Sequence, residues 1–310
     1  MLRLRALLAS GTAVTLSAVL TLAYAPQSTA ATATTTAALV RVDPPTVPDE
    51  TFIAHLRQFQ RIADENGGTR YHGRPGYKAS VDYVASTLTA AGYQVTTQPF
   101  TYSGATSWNL VAEWPHGDAN KVVMVGAHLD SVSKGPGIND NATGSAAVLE
   151  NALLVARSNL RPDKRLRFAW WGTEELGLVG SKHYVASLSA ADKKRIEVYL
   201  NFDMVGTKGL TKWRVYKESP DLSAQWKAYF RTVNVATEDY NAGSDQISFN
   251  NAGIKVSGFG GKMDDKCYHL ACDTLSNNID PRVMGISGNA IAYLSWKLAG
   301  AKAAAGARPA

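Results

Sequence analysis

A continuous apolar run, Val122, Val123, Met124 and Val125, reads as a strand buried on both faces of a sheet. Upstream, two periods alternate. Phe52, Ile53, Leu56, Phe59, Ile62 and Ala63 recur at helical spacing until Gly67-Gly68 stops the helix. A polar loop over 69–77 (TRYHGRPGY) leads to a second helix over 78–91, with Val81, Val84 and Leu88 inward and Gly92 at its end. Residues 94–102 alternate as a strand, and 108–114 form another, closed by the turn Pro115-His116-Gly117-Asp118.

Downstream, residues 142–157 read as a helix whose Gly144, Ser145, Ala146 and Ala147 permit close approach to a sheet. Residues 166–171 are the next buried strand, followed by a helix over 178–187 and another capped by Ser189. Residues 198–202 form a strand that ends in Asp203. Residues 213–216 read as an edge strand, 221–233 as a helix, Ser244 as the cap of a helix ending at Gly253, and 254–258 as a strand. A helix over 281–298, with the stripe Val283, Ile286, Ile291, Leu294 and Leu298, closes the pattern. Alternating strands and helices without a repeat predict an α/β fold. The expected arrangement is one domain over 49–300, a mixed, mostly parallel twisted sheet sandwiched by helices. The Ala/Gly tail over 301–310 reads as disordered.

Composition adds a compartment. The 310 residues are 45% hydrophobic and 19% charged, a globular balance, and the net charge of +6 comes with no basic run that would suit nucleic acid. Arg3 and Arg5 precede a largely apolar stretch over 6–22, and Ser28-Thr29-Ala30 offers a small-residue cleavage site. Residues 1–30 therefore read as a signal peptide for secretion and 31–48 as a leader or short pro-segment. An uncleaved membrane anchor is the weaker alternative, because Ser and Thr interrupt the apolar run. The two cysteines, Cys267 and Cys272, would form a local disulfide in an oxidising compartment. Metal ligation is the other option, although their spacing fits no common zinc pattern.

Candidate chemistry gathers where strands end. His128 and Asp130 follow the central apolar run, and a Gly- and Pro-bearing loop returns with Asn139 and Asp140. Glu174 and Glu175 follow the next strand, Asp203 ends the one after, and His269 lies between the cysteines. Two imidazoles and four carboxylates exceed the roughly three protein ligands of one catalytic zinc. They suit two ions sharing a carboxylate. Adjacent side chains on an extended segment point apart, so one of Glu174 and Glu175 can bind metal while the other faces a water. Asp130 is two residues from His128, within reach of the imidazole's other nitrogen if the loop folds back.

The segments GAHLDSV, GINDNATGSAAVLE, LRFAWWGTEELGLVGSKHYV, NFDMVG and CYHLACDTLSN, in that order, resemble secreted two-zinc aminopeptidases of the streptomycete type. These belong to the co-catalytic zinc peptidase family that includes bacterial leucyl aminopeptidases. The likeness runs over about 51–276. It implies a zinc-exopeptidase fold and two Zn²⁺ bridged by Asp140, with His128 and Asp203 completing one site and Glu175 and His269 the other. It implies Glu174 as general base and Tyr268 as hydrogen-bond donor to the tetrahedral intermediate. The implied substrates are peptide or protein N-termini with a free α-amine, large apolar residues such as Leu being favoured. A monomer, with no membrane or nucleic-acid partner once the signal is removed, is the expected form.

Met204, next to Asp203, is either a pocket wall or plain core. Asp273 either orients His269 or forms a turn. His55, His72, His116 and His183 read as surface or loop residues. The family commonly carries Ser-Asp-His where this chain has Ser244-Asp245-Gln246, and streptomycete-type members often place Arg where Gly243 stands. The stretch from 259 to 267 is short against close relatives, and there is no calcium loop. The competing readings are a glutaminyl cyclase, a carboxypeptidase and a binding module on an inactive peptidase fold.

Overall fold

The apolar run lies in the middle of an eight-stranded sheet. The computed structural model describes residues 38–261 and 265–305. Its first half contains β1 (Leu39–Arg41), α1 (Asp49–Glu65), α2 (Pro75–Ala90), β2 (Gln94–Tyr102), β3 (Ala105–Glu113), β4 (Asp118–His128), α3 (Thr143–Arg157) and β5 (Lys164–Trp171). Then come α4 (Val179–Ser187), α5 (Ala190–Arg195), β6 (Ile196–Asp203), β7 (Lys212–Tyr216), α6 (Pro220–Thr232), β8 (Ala236–Tyr240) and α7 (Gln246–Asn251). The chain finishes with β9 (Val256–Gly260), α8 (Leu275–Asn278), α9 (Pro281–Ala299) and β10 (Lys302–Ala304).

The strand order is β2-β3-β5-β4-β6-β9-β7-β8. β4 pairs parallel with both β5 and β6, β6 with β9, and β7 with β8. The other three pairings are antiparallel, giving the expected mixed sheet in a single α/β domain. The alternation of β4 explains its unbroken hydrophobicity. Val123 and Val125 pack into the core beneath α1, α3 and α9, while Val122 and Met124 join Tyr184, Val185 and Phe249 from α4 and α7 on the opposite face. Each such side chain contributes about 1.5–3 kcal/mol by leaving water.

Local differences have local causes. α2 begins at Pro75 rather than at 78, because proline at the first helical turn has its φ already set and lacks only an N–H that would go unbonded. β7 is not an edge strand. The edge on that side of the sheet is β8, a five-residue strand (ATEDY) too polar to stand out in the sequence. Ser244 does not cap α7; its hydroxyl accepts a bond from Asn201 Nδ2 (3.1 Å).

Both chain ends depart from expectation where they are described. Leu39–Arg41, read as part of an unstructured leader, pair with Lys302–Ala304, read as a disordered tail. Ala301 and Ala303 are buried there, and the neighbouring Arg41 bonds Asp163 (2.7 Å), so backbone pairing and side-chain contacts order a stretch of low sequence complexity. The signal segment, residues 1–30, lies outside the described residues. No described helix is long and apolar enough to cross a membrane. Cys267 and Cys272 are joined in a disulfide, as the oxidising-compartment reading expects.

Candidate metal centre

Three neighbouring strands, β5, β4 and β6, run parallel and end at one edge of the sheet. Adjacent strands lie about 4.8 Å apart, so their terminal residues are brought together by sheet geometry alone. His128 closes β4 and Asp203 closes β6, while Glu174 and Glu175 follow β5. Asp140 comes from the loop before α3, and the disulfide loop delivers Tyr268 and His269. Thr173, Met204 and His269 adopt left-handed backbone (φ 62°, 57° and 58°), costly for residues with a Cβ. Two of them flank site carboxylates and the third is a site imidazole.

Asp140 stands between the two imidazoles. Its Oδ1 is 3.2 Å from His128 Nε2 and its Oδ2 is 3.1 Å from His269 Nε2. His128 Nε2 is also 3.5 Å from Asp203 Oδ1, and His269 Nε2 is 3.0 Å from Glu175 Oε2. Glu174 Oε2 is further from His128 Nε2, at 3.9 Å. Donors around one tetrahedral zinc with bonds of about 2.0–2.1 Å sit roughly 3.3 Å apart, and the four shorter imidazole–carboxylate distances lie near that value. Buried His128 Nε2, Asp203 Oδ1 and Glu175 Oε1 have no hydrogen-bond partner, although a polar atom out of water normally has one. Two overlapping groups, His128-Asp140-Glu175 and His128-Glu174-Asp203, could each hold a metal ion. Distance alone therefore counts Glu174 among the possible ligands.

The electrostatics have the same cause. Burial pushes Glu175 up to about 7, and the neighbouring Asp140 charge adds to it. Glu174 is raised by burial and then by Asp245 and Asp203, against the pull of His128. Asp140 is held down at about 2 in spite of burial, because His128 and His269 both bond it. A site with this many carboxylates is short of positive charge, which divalent ions would supply.

A second ring of groups fixes the backbone of the first. Asp273 accepts from the amide N–H groups of Asn139 (2.8 Å) and Asp140 (3.0 Å); it does not orient His269. The Asp130 carboxylate accepts from the amides of Glu174 (3.0 Å) and Glu175 (3.3 Å). It lies 3.6 Å from His128 Nδ1, which is nearer to the Asp130 backbone carbonyl (3.3 Å). Asp130 thus holds the glutamate pair more closely than the imidazole. His72 is buried rather than on the surface: its ring bonds Tyr102 O and the Thr173 hydroxyl (2.8 Å), directly before Glu174. His55 is half-buried between Tyr83 and Glu150.

Arg70 escaped the sequence reading. It is fully buried and donates to the carbonyls of Leu129, Pro136 (2.9 Å) and Gly137 (2.6 Å), tying together the loop between His128 and Asp140. Burial lowers its pKa to about 10, with Asp130, Asp273 and Asp140 opposing. An arginine inside a polar loop carries no signal of burial. Replacing it leaves three carbonyls unbonded and a carboxylate cluster without its cation, so Arg70→Met should cost about 3–5 kcal/mol. A thermal melt should show Tm lower by roughly 10 °C.

The site opens into a cavity of about 410 Å³. It is lined by the polar Asp140, Glu174, Glu175, Asp203 and His269 and by Leu178, Met204, Tyr216, Tyr240 and Ala242. Met204 is thus a pocket wall. The Tyr268 ring stacks on the His269 imidazole, with centroids 3.7 Å apart, and burial raises its hydroxyl pKa, keeping it a proton-bearing donor.

The model described as Peptidase family M28 matches residues 109–295. Leupeptin-inactivating enzyme 1 of Streptomyces exfoliatus is 47% identical over 291 residues, covering 87% of this chain and 66% of that protein. An aminopeptidase of Pseudomonas aeruginosa is 41% identical over 223 residues, 61% of this chain and 41% of its own. The chain thus spans two thirds or less of these relatives' lengths. Among solved structures, the aminopeptidase from Aneurinibacillus sp. strain AM-1 superposes with a TM-score of 0.71 at 19% identity, covering 83% of this chain and 94% of that one. A glutaminyl cyclase from Bacteroides thetaiotaomicron gives 0.69 at 18% identity, covering 82% and 99%. At such identities the likeness shows the fold, which both chemistries share.

Proposed function

The chain belongs to peptidase family M28, and from that membership we propose that it is a secreted two-zinc aminopeptidase acting on peptides with a free α-amine. One observation carries this reading. The two oxygens of Asp140 face different imidazoles, at 3.2 and 3.1 Å, and each imidazole has its own further carboxylate. His128, Asp140 and Asp203 would hold one zinc, and Asp140, Glu175 and His269 the other. Bound zinc supplies Lewis acidity, bringing a water toward ionisation near neutral pH and polarising the scissile carbonyl.

The protein's own groups do the rest. Glu174 takes the proton of the attacking water and returns it to the departing amine. Burial and the surrounding negative charge raise its proton affinity, which suits a group that must hold a proton between these events. Asp130 keeps Glu174 and Glu175 in place through their amides. The Tyr268 hydroxyl donates to the developing oxyanion. The carboxylates of Glu174 and Asp203, both lining the cavity, oppose the substrate's α-ammonium. Leu178, Met204, Tyr240 and Ala242 offer apolar surface to the first side chain, in keeping with a preference for residues such as Leu. Secretion is supported by the N-terminal segment and the disulfide.

Leucine anilide should be hydrolysed with zinc present and spared after chelation. Its N-acetylated form should react at least roughly 100-fold more slowly, because the ammonium-binding carboxylates lose their partner. Equal cleavage of the blocked substrate would rule out an aminopeptidase. A glutaminyl cyclase reading has the fold in its favour but gives no role to the second donor set around His269.

A further inference from the structure

We infer that Asp265 is a positioning residue for the second zinc set: it fixes the disulfide loop, and with it His269, against the loop that carries Asp140; this rests on the two-zinc reading. The two halves of the centre are supported differently. His128 closes β4 and Asp203 closes β6, so the pairing of those strands places both. His269 belongs to no helix or strand, its side chain is 39% exposed and its backbone is left-handed (φ 58°). Such a conformation costs a residue with a Cβ about 1–3 kcal/mol and persists only where the surroundings hold it. The disulfide closes the loop on itself, because both of its cysteines belong to that loop.

Asp265, two residues before Cys267, supplies a tie to the rest of the site. It is buried, and its Oδ1 accepts from the Cys267 amide N–H (2.8 Å). Its Oδ2 accepts from the side-chain amides of Asn139 (2.8 Å) and Asn278 (2.9 Å). Asn139 directly precedes Asp140, and its side-chain amide also donates to Thr207 Oγ1 (2.9 Å), four residues beyond Asp203. Asn278 donates in addition to Asp273 Oδ1 (2.8 Å), the carboxylate that already accepts from the amides of Asn139 and Asp140. One carboxylate on each side of the disulfide, the two joined through Asn278, thus holds the same segment, Asn139-Asp140. This clamp keeps His269 Nε2 3.1 Å from Asp140 Oδ2. An ionised aspartate suits the place, because it accepts at both oxygens and all three of its neighbours donate N–H groups. Asparagine keeps the shape but turns one acceptor into a donor that faces another donor.

Zinc titration of the zinc-free full chain, followed by calorimetry against a competing chelator, tests the clamp. The parent should bind in two steps and His269→Ala in one. Asp265→Asn should weaken the step that His269→Ala removes by about 10–100-fold, the usual effect of losing a partner outside the ligands, and leave the other within about twofold. Combined with His269→Ala, it should change nothing further. Asn278→Ala, which cuts the link between the two carboxylates, should weaken the same step, and it decides the matter alone should Asp265→Asn fail to fold. Hydrolysis of leucine anilide by either variant should need correspondingly more free zinc. A merely structural role would lower the melting temperature of the zinc-free protein and weaken both steps alike. Equal weakening of both steps, or parental affinity at both, would overturn the inference and leave the two-zinc reading standing. A parent that takes up a single zinc would overturn both.

Discussion

Glu174→Ala should lower kcat by roughly 10²–10⁴-fold, the ordinary worth of a positioned general base, while bound zinc stays at the parent's level. The side chain is partly buried and lines the cavity, and its imidazole contact is 3.9 Å, longer than the 3.2 and 3.5 Å of Asp140 and Asp203 to the same nitrogen. The longer distance is what a group facing the reacting water, rather than the ion, would show. Glu175, its neighbour, lies 3.0 Å from His269. The adjacent glutamates thus face different parts of the site, held by the two oxygens of Asp130. Zinc analysis of the purified variant decides the assignment. A fall in metal content would make Glu174 a ligand, which its place beside His128 and Asp203 permits. KM should change less than kcat, because the group is needed mainly as charge and protons move.

Asp140→Ala should empty the whole centre. Among the described residues, Asp140 is the one carboxylate within 4 Å of both imidazoles, so its loss would leave each set short of a ligand at once. Metal analysis should find about two zincs per chain in the parent, about one in His269→Ala and close to none in Asp140→Ala, with hydrolysis of leucine anilide falling to background in the last. His269→Ala acts on one set only, because His128 and Asp203 remain with Asp140. Retention of one zinc by the Asp140 variant would show that the sites are held independently. A circular dichroism spectrum guards against simple unfolding: Asp140 is held through its amide by Asp273, a bond that alanine keeps.

Much of the fold was legible because its elements are strongly periodic. The central strand, the helices over 49–65 and 281–299 and the strand over 94–102 follow from apolar spacing, and Gly92 sits in the left-handed conformation expected past a helix end. β8 was not legible, because a half-exposed strand of mixed polarity has no face to mark it. Nor was the pairing of β1 with β10, since backbone bonding between distant segments leaves no trace in either. In the site, His128, Asp140, Glu174, Glu175, Asp203 and His269 stood out as residue types at strand and loop ends. Their supports were less legible: Arg70, His72 and Asp273 lie in polar loops, where the composition that marks a buried hub is also that of any surface turn, so Arg70 went unmarked, His72 read as a surface or loop residue and Asp273 as a partner of His269 or a turn.

What the sequence determined by itself was the α/β alternation and the set of residues able to bind zinc, because side-chain period and ligand chemistry are properties of short segments. Only the tertiary structure decided that Asp140 stands between two imidazoles and that Asp130 serves the glutamate pair more closely than the histidine. Those facts depend on distances between residues up to well over a hundred positions apart. They are set by the parallel packing of β5, β4 and β6 and by a buried arginine that closes the loop between them.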